Sequence, residues 1–207
     1  MAMYPDRDDT KMMTEPGSFS PGKNGEVVRI VMHQTWAYQS IPDQAAINVR
    51  QWTTDTHAAH AANPNSAFGV SAHFTVEASG RIIQHVDTAD VAKGTGAFTG
   101  GSVHIEFASR NEPLTNDQLH HGADLMAWIQ KEHPAVKLVV VGTSNKDPGP
   151  NDQKGITCHS FVEIVGKKLG QLMKPAPNEP KMDCPGGEII KQMNTIAVLA
   201  SVRRTLI

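Results

Sequence analysis

The chain has 207 residues, which suits one domain with a sizeable core, or one domain with tails. Its formal net charge is −2 and its pI is about 6.5, so it lacks the basic surface that attracts nucleic acid or anionic lipid. No apolar run is long enough to span a bilayer, so we expect no membrane insertion. The polar N-terminus has no signal-peptide core, so we expect a protein made in the cytoplasm without a signal peptide.

The N-terminal part of the sequence divides into an arm and the start of a domain. Residues 1–24 are rich in proline, glycine, serine and aspartate and lack periodicity, which predicts an extended arm before a domain over residues 25–207. A short apolar, β-branched run predicts a first strand over residues 26–32, directly before His33. Apolar residues at helical spacing then predict a helix over residues 42–62.

The middle of the chain alternates between strand and helix patterns. Two apolar runs separated by a glycine turn predict a β-hairpin within residues 71–86, and another strand is predicted over residues 102–108. A Thr-Asn-Asp-Gln capping box predicts a helix over residues 115–133. The continuous β-branched run over residues 136–142 predicts the central strand of the sheet.

The C-terminal part begins with a polar loop that leads into His159. A short helix is predicted over residues 161–173, and a last helix over about residues 187–202. Strands and helices interleave, hairpins mix with crossovers, and no repeat occurs. The sequence therefore predicts an α/β fold, a single domain with a central mixed β-sheet flanked by helices.

Three residues are candidate metal ligands. His33 follows a predicted strand, His159 lies in a predicted loop, and Cys184 precedes a Pro-Gly pair. Two histidines and a cysteine suit a catalytic Zn²⁺ ion, which keeps its fourth position open for water. The alternative is a disulfide between Cys158 and Cys184, which would remove one ligand from the set.

The remaining histidines are less distinctive. His104 and Glu106 are two residues apart on one predicted strand, so they project from the same face, where burial is costly unless the groups are partnered or functional. His73 also lies on a predicted strand and suits a structural or substrate-lining role. We expect His85 to be exposed.

Four segments together carry a family resemblance. Residues 30–35 run from an apolar strand into His33, and residues 71–84 form the predicted hairpin. Residues 102–107 contain Glu106, while residues 155–159 and 183–186 contain the other candidate ligands. In this order they resemble the zinc-dependent type 2 N-acetylmuramoyl-L-alanine amidases, relatives of the peptidoglycan recognition proteins and of amidase-type phage lysins.

The resemblance implies an amidase-like fold and a zinc hydrolase. Such an enzyme cleaves the amide between N-acetylmuramic acid and L-alanine of the peptidoglycan stem, so the expected partner is a muropeptide. The zinc ligands carry over to His33, His159 and Cys184, and the general base to Glu106. Lys181 is a further catalytic candidate. Substrate-binding candidates are His73, His104 and Thr35.

The sequence also departs from the family pattern. Members usually have their last two ligands closer together than His159 and Cys184, so an insertion is predicted over about residues 161–180. Lys181 would have the usual spacing before the third ligand only if Asp183 were that ligand, which keeps Asp183 open as the alternative to Cys184. The Trp-His-Ala-Gly stretch of many members is replaced by Lys-Gly-Thr-Gly at residues 93–96.

Other functions remain open at this point. A peptidoglycan-binding module without hydrolysis is one alternative, and an amidase acting on a different amide is another. The absence of a signal peptide fits a phage lysin released by lysis and equally fits an antibacterial effector delivered by a secretion system. The sequence gives no indication of oligomeric state.

Overall fold

The computed structural model describes residues 6–7, 19–62, 71–95, 100–142, 154–168 and 184–205. In these segments the strands are β1 (Asp6–Arg7), β2 (Phe19–Ser20), β3 (Arg29–Gln34), β4 (Phe74–Val76), β5 (Ile82–Gln84), β6 (Val91–Ala92), β7 (Ser102–Phe107) and β8 (Gly155–Cys158). The helices are α1 (Gln44–Ala62), α2 (Asn116–Glu132), α3 (His159–Lys168) and α4 (Gly187–Arg204). No described helix combines the length and hydropathy needed to cross a bilayer.

Six of these strands form one sheet in the order β1-β5-β4-β7-β3-β8. Strands β4, β7, β3 and β8 run parallel to one another, whereas β5 is antiparallel to β4. Strands β2 and β6 form a separate antiparallel pair. The prediction of a single α/β domain with a mixed sheet flanked by helices is therefore confirmed.

The main core lies between the sheet and two of the helices. Strands β3 and β7 are buried along their whole length, as expected for strands paired on both sides. Helices α2 and α4 pack on each other and bury Met126, Ile129, Met193 and Ile196 in the same apolar cluster as the strands. Burial of each such side chain contributes roughly 1.5–3 kcal/mol, which fixes the sheet as a rigid support.

Helix α1 packs separately from that core. Val49 joins a smaller cluster with Ala72, Val86 and Ala92, and Trp52 packs against this cluster. The N-terminus of α1 lies beside Glu77, whose carboxylate accepts hydrogen bonds from the backbone of the first helical turn. This contact anchors α1 to the chain that follows β4.

The parallel strands end at one edge of the sheet, here called the carboxyl edge. His33 is directly opposite Glu106 in the β3–β7 register, and Met32 is opposite Cys158 in the β3–β8 register. His159 follows Cys158 as the first residue of α3. His33 and His159, which the sequence separates by more than a hundred positions, therefore meet at this edge.

Two predictions about secondary structure were wrong. Residues 136–142 do not form the central strand: in this segment only Val140 makes an isolated bridge, to Ile156, and β4 and β7 hold the two central positions instead. A β-branched run signals extended, buried chain but not its order in the sheet. His159 is not in a loop, because β8 passes directly into α3.

Other elements begin or end a few residues from their predicted positions, or lie only partly within the described residues. Strand β3 extends to Gln34, so His33 lies inside the strand instead of after it. The predicted helix over residues 161–173 begins earlier, at His159, and its residues after 168 lie outside the described chain. Within the predicted arm, β1 pairs with β5 and β2 with β6. The division at residue 24 and the insertion over residues 161–180 stay predictions.

Candidate metal centre

The three candidate ligands converge at the carboxyl edge. The ligand atoms of His33, His159 and Cys184 all lie within 4.8 Å of one another, and all three residues are buried. His33 is held by β3, His159 by the junction of β8 and α3, and Cys184 by the segment that leads into α4. Three elements of the rigid core therefore position one donor each.

The distances fit a tetrahedral metal ion. Cys184 Sγ lies 3.8 Å from His33 Nδ1, and the imidazole rings of His33 and His159 are 4.8 Å apart between centroids. Zinc–nitrogen and zinc–sulfur bonds in a tetrahedron place the two donor atoms about 3.6 Å apart. The backbone N–H of Gln34 also donates to Cys184 Sγ at 3.4 Å, which favours the thiolate form that a metal needs.

Cys158 and Cys184 do not form a disulfide, so the disulfide alternative does not hold in this structure. Cys158 is buried beside Ser160, with 3.5 Å between Sγ and Oγ, and it is not part of the ligand group. Asp183, the alternative third ligand, and Lys181, the second catalytic candidate, lie outside the described residues.

Glu106 lies beside the ligand group. Its Oε1 is 3.7 Å from His33 Nδ1, and the side chain is almost completely buried. Among the described residues, Glu106 Oε2 has no hydrogen-bond partner. Burial raises the pKa of Glu106 to about 8, so the carboxyl group holds a proton at neutral pH unless a cation or water compensates its charge.

The electrostatics of His33 favour a metal ligand. Burial lowers its pKa well below the usual value, and the neighbouring His159 and His104 lower it further. The imidazole therefore stays neutral at pH 7 and keeps a lone pair, which ligation requires. The donor set and the orphaned carboxylate oxygen of Glu106 together fit Zn²⁺.

The three predicted substrate-binding residues lie inside the protein. Thr35 is buried and its Oγ1 donates to the carbonyl of Phe107 at 3.3 Å. His73 and His104 are also buried, and His104 contacts His33 directly. The structure thus brings His104 to the metal centre, whereas Thr35 and His73 bond to other parts of the chain. The expectation for His85 was wrong: it is buried and bonded to Thr75 at 3.1 Å.

A pocket of about 380 Å³ adjoins the centre, and sequence reasoning missed it. Its lining residues are Gln34, Trp36, Asn111, Ser160, Gly186, Gly187, Glu188 and Ile190. Several are close chain neighbours of the ligands, so the pocket opens beside the metal centre. Trp36, three residues after His33, was the available signal in the sequence.

The pocket wall contains strained backbone. Trp36 and Asn111 have positive φ angles of 55° and 63°, which cost non-glycine residues energy and often mark functional sites. Gly186 has φ 83°, and a Cβ there would lie 2.7 Å from Asn111 Oδ1 and 2.9 Å from Gln34 Oε1. Only glycine fits this position, so the pocket shape depends on it.

The sequence matches the family model described as N-acetylmuramoyl-L-alanine amidase over residues 23–163. The chain belongs to this amidase family. The matched range includes His33, Glu106 and His159 but ends before Cys184. The sequence has no match among curated proteins.

Solved structures with the same fold include bacterial and insect proteins. The Staphylococcus aureus hydrolase AmiA, in complex with its ligand, has a TM-score of 0.60 at 15% identity, and the match covers 99% of this chain and 84% of AmiA. Drosophila PGRP-LB has a TM-score of 0.54 at 16% identity, and the match covers 86% of this chain and 85% of PGRP-LB. The Clostridium intestinale amidase LysC has a TM-score of 0.53 at 12% identity, over 93% and 97% respectively. At these identities the likeness supports the fold.

Proposed function

We propose that this amidase hydrolyses the amide between N-acetylmuramic acid and L-alanine of peptidoglycan in a zinc-dependent reaction. The observation that carries the proposal is the convergence of His33, His159 and Cys184 with Glu106 beside them. Glu106 favours catalysis over binding alone, because its buried Oε2 has no hydrogen-bond partner among the described residues and the burial of such an atom costs free energy.

The metal ligands and Glu106 would have different roles in the reaction. His33, His159 and Cys184 would hold Zn²⁺, which when bound acts as a Lewis acid and lowers the pKa of a water toward roughly 7. Glu106 would accept a proton from the attacking water. As the carbon–nitrogen bond breaks, Glu106 would return that proton to the nitrogen of L-alanine. The products are a lactyl carboxylate and a free peptide amine.

The environment of Glu106 supports both halves of this cycle. With no cation its pKa is about 8, and an adjacent cation favours the ionised form. A carboxyl group poised between these states can act first as base and then as acid near neutral pH. Bound zinc would therefore favour the ionised form of Glu106, which is the form that can accept a proton.

The pocket beside the centre would receive the substrate. Trp36 is 53% exposed there and offers an apolar ring face, while Gln34 and Asn111 contribute amide-bearing side chains to the wall. A muropeptide combines a sugar ring with a peptide, so it presents apolar and hydrogen-bonding groups together. A role in bacterial wall lysis, as a phage lysin or a delivered effector, is part of this proposal.

The test combines metal analysis with an assay on purified cell wall. We expect about one zinc per chain, release of free stem peptide, loss of release after chelation, and recovery on adding Zn²⁺. His159→Ala should lose zinc and activity together, whereas Cys158→Ala, which alters the adjacent buried residue, should keep both. Zinc binding without peptide release would contradict the proposed reaction and favour a recognition module. A chain without zinc would contradict the proposed metal centre.

A further inference from the structure

His33 is connected to two other buried histidines, which we call the histidine row: His33, His104 and His73. His33 Nε2 lies 3.1 Å from His104 Nδ1, within hydrogen-bond distance. The other ring nitrogen of His33, Nδ1, is the one near Cys184 Sγ and Glu106 Oε1. The two nitrogens of His33 therefore have separate surroundings, with Nδ1 in the metal centre and Nε2 in the row.

A metal ion on His33 Nδ1 would determine the proton positions. A neutral His33 that presents the lone pair of Nδ1 to a metal must carry its proton on Nε2. That N–H then donates to His104 Nδ1, which must be the unprotonated nitrogen of His104. By accepting this hydrogen bond, His104 can stabilise the one tautomer of His33 that binds a metal through Nδ1.

His73 holds the next position in the row. Its ring stacks nearly parallel to that of His104, at 10° and 5.7 Å between centroids. His73 Nδ1 accepts the backbone N–H of His104 at 3.0 Å, and His73 Nε2 lies 3.1 Å from the carbonyl oxygen of Asp90, to which it donates. Both nitrogens of His73 are used within the protein, so its orientation is fixed.

Gly94 supports the ring of His104 from another side. A Cβ at Gly94 would lie 2.4 Å from His104 Nδ1 and 2.5 Å from its Cγ, a distance that real side chains do not reach. Glycine is therefore needed here for space, and it belongs to the segment that replaces Trp-His-Ala-Gly. The backbone of this loop and the ring of His73 both restrict where the His104 imidazole can lie.

We infer that His104 is a positioning residue for the metal ligand His33, and that it acts by fixing the orientation and tautomer of the His33 ring. The inference rests on the proposed zinc centre. His104 is completely buried, so it does not touch substrate, and its effect reaches the reaction only through His33. Groups that hydrogen-bond to a metal ligand typically change metal affinity about 10- to 100-fold when they are removed.

The experiment measures zinc affinity by competition with a chelator, a readout that does not depend on activity. His104→Leu removes the acceptor, and we expect about 10- to 100-fold weaker zinc binding. His104→Asn keeps an acceptor close to the position of Nδ1 and should recover most of the affinity. His85→Leu is the matched control, since it removes another buried, hydrogen-bonded histidine and should leave zinc affinity unchanged.

A second variant covers the case in which His104→Leu fails to fold. Gly94→Ala keeps every histidine but pushes the His104 ring away, so it should weaken zinc binding in the same direction. Wild-type zinc affinity in folded His104→Leu or in Gly94→Ala would overturn the inference while leaving the amidase proposal intact. Equal losses in His104→Leu and His85→Leu would overturn it as well. A wild-type chain that binds no zinc would contradict both proposals.

Discussion

Glu77 and Glu106 are buried glutamates associated with two adjacent parallel strands, β4 and β7, yet their surroundings differ. Glu77 follows β4, and its two carboxylate oxygens accept the backbone N–H groups of Ala45 at 3.4 Å and Ala46 at 2.9 Å, at the N-terminus of α1. Glu106 lies in β7, and Oε2 has no partner in the described chain. The fold therefore supplies a hydrogen-bond donor to each carboxylate oxygen of Glu77, whereas among the described residues it supplies none to Oε2 of Glu106.

The pKa values follow the same division. Burial raises the pKa of Glu77, but the two amide donors oppose that rise because they stabilise the charged form. Burial alone acts on Glu106 and raises its pKa to about 8. A buried charge with built-in partners stabilises structure, whereas one without them costs stability and is retained for a bound group. We therefore expect Glu77 to affect stability and Glu106 to affect activity.

The largest effect is expected at Glu106. Glu106→Gln keeps the shape of the side chain but removes proton transfer, so kcat for peptide release should fall about 10²- to 10⁴-fold. Zinc content should stay at the wild-type level, because the three ligands are untouched. Steady-state assays of the zinc-loaded variant, with metal analysis of the same sample, check this.

The stability of the Glu106→Gln variant also tests whether Glu106 differs from Glu77. Gln at position 106 has no ionised form to bury, so the free energy of unfolding of the metal-free variant should equal or exceed that of wild type at neutral pH. A large loss of stability with unchanged kcat would mean that Glu106 is a structural residue like Glu77.

The fold was largely predictable from local patterns. The capping box of α2 is present as expected, with Thr115 accepting from the Gln118 backbone, and the hairpin of β4 and β5 forms at its glycine turn. These features depend on a few adjacent residues. The order of strands depends instead on long-range packing, which is why the run over residues 136–142 was wrongly given the central position.

The metal centre was predictable only through the family resemblance. Spacing alone does not indicate that His33, His159 and Cys184 meet, because parallel strands bring together residues far apart in sequence. The contact between His33 and His104 and the strained φ of Trp36 depend on side-chain packing and backbone geometry, for which the sequence carries no local signal.

A smaller effect is expected at Glu77, and it should be on stability. Glu77→Gln removes the negative charge and places an amide N–H₂ against a backbone donor of α1, so the free energy of unfolding should fall by roughly 2–3 kcal/mol. The kcat of the zinc-loaded variant should stay close to wild type. Urea denaturation and the peptide-release assay measure the two quantities. A fall in kcat as large as that of Glu106→Gln would break the distinction between the two carboxyl groups.

The smallest effect is a pH dependence at His73, another buried group with partners inside the fold. Burial lowers its pKa to about 4, against about 6.5 when unfolded, so between these values the unfolded chain binds the extra proton. The stability that neutral His73 contributes is fully present above pH 6.5 and is lost as the pH falls toward 4. Between pH 6.5 and 5 the free energy of unfolding should fall by about 1–2 kcal/mol for this reason. His73→Asn keeps an acceptor for the His104 amide but does not titrate, so the metal-free variant should lose stability less steeply over this range than metal-free wild type. Parallel slopes for the two proteins would show that His73 is not held neutral by the fold.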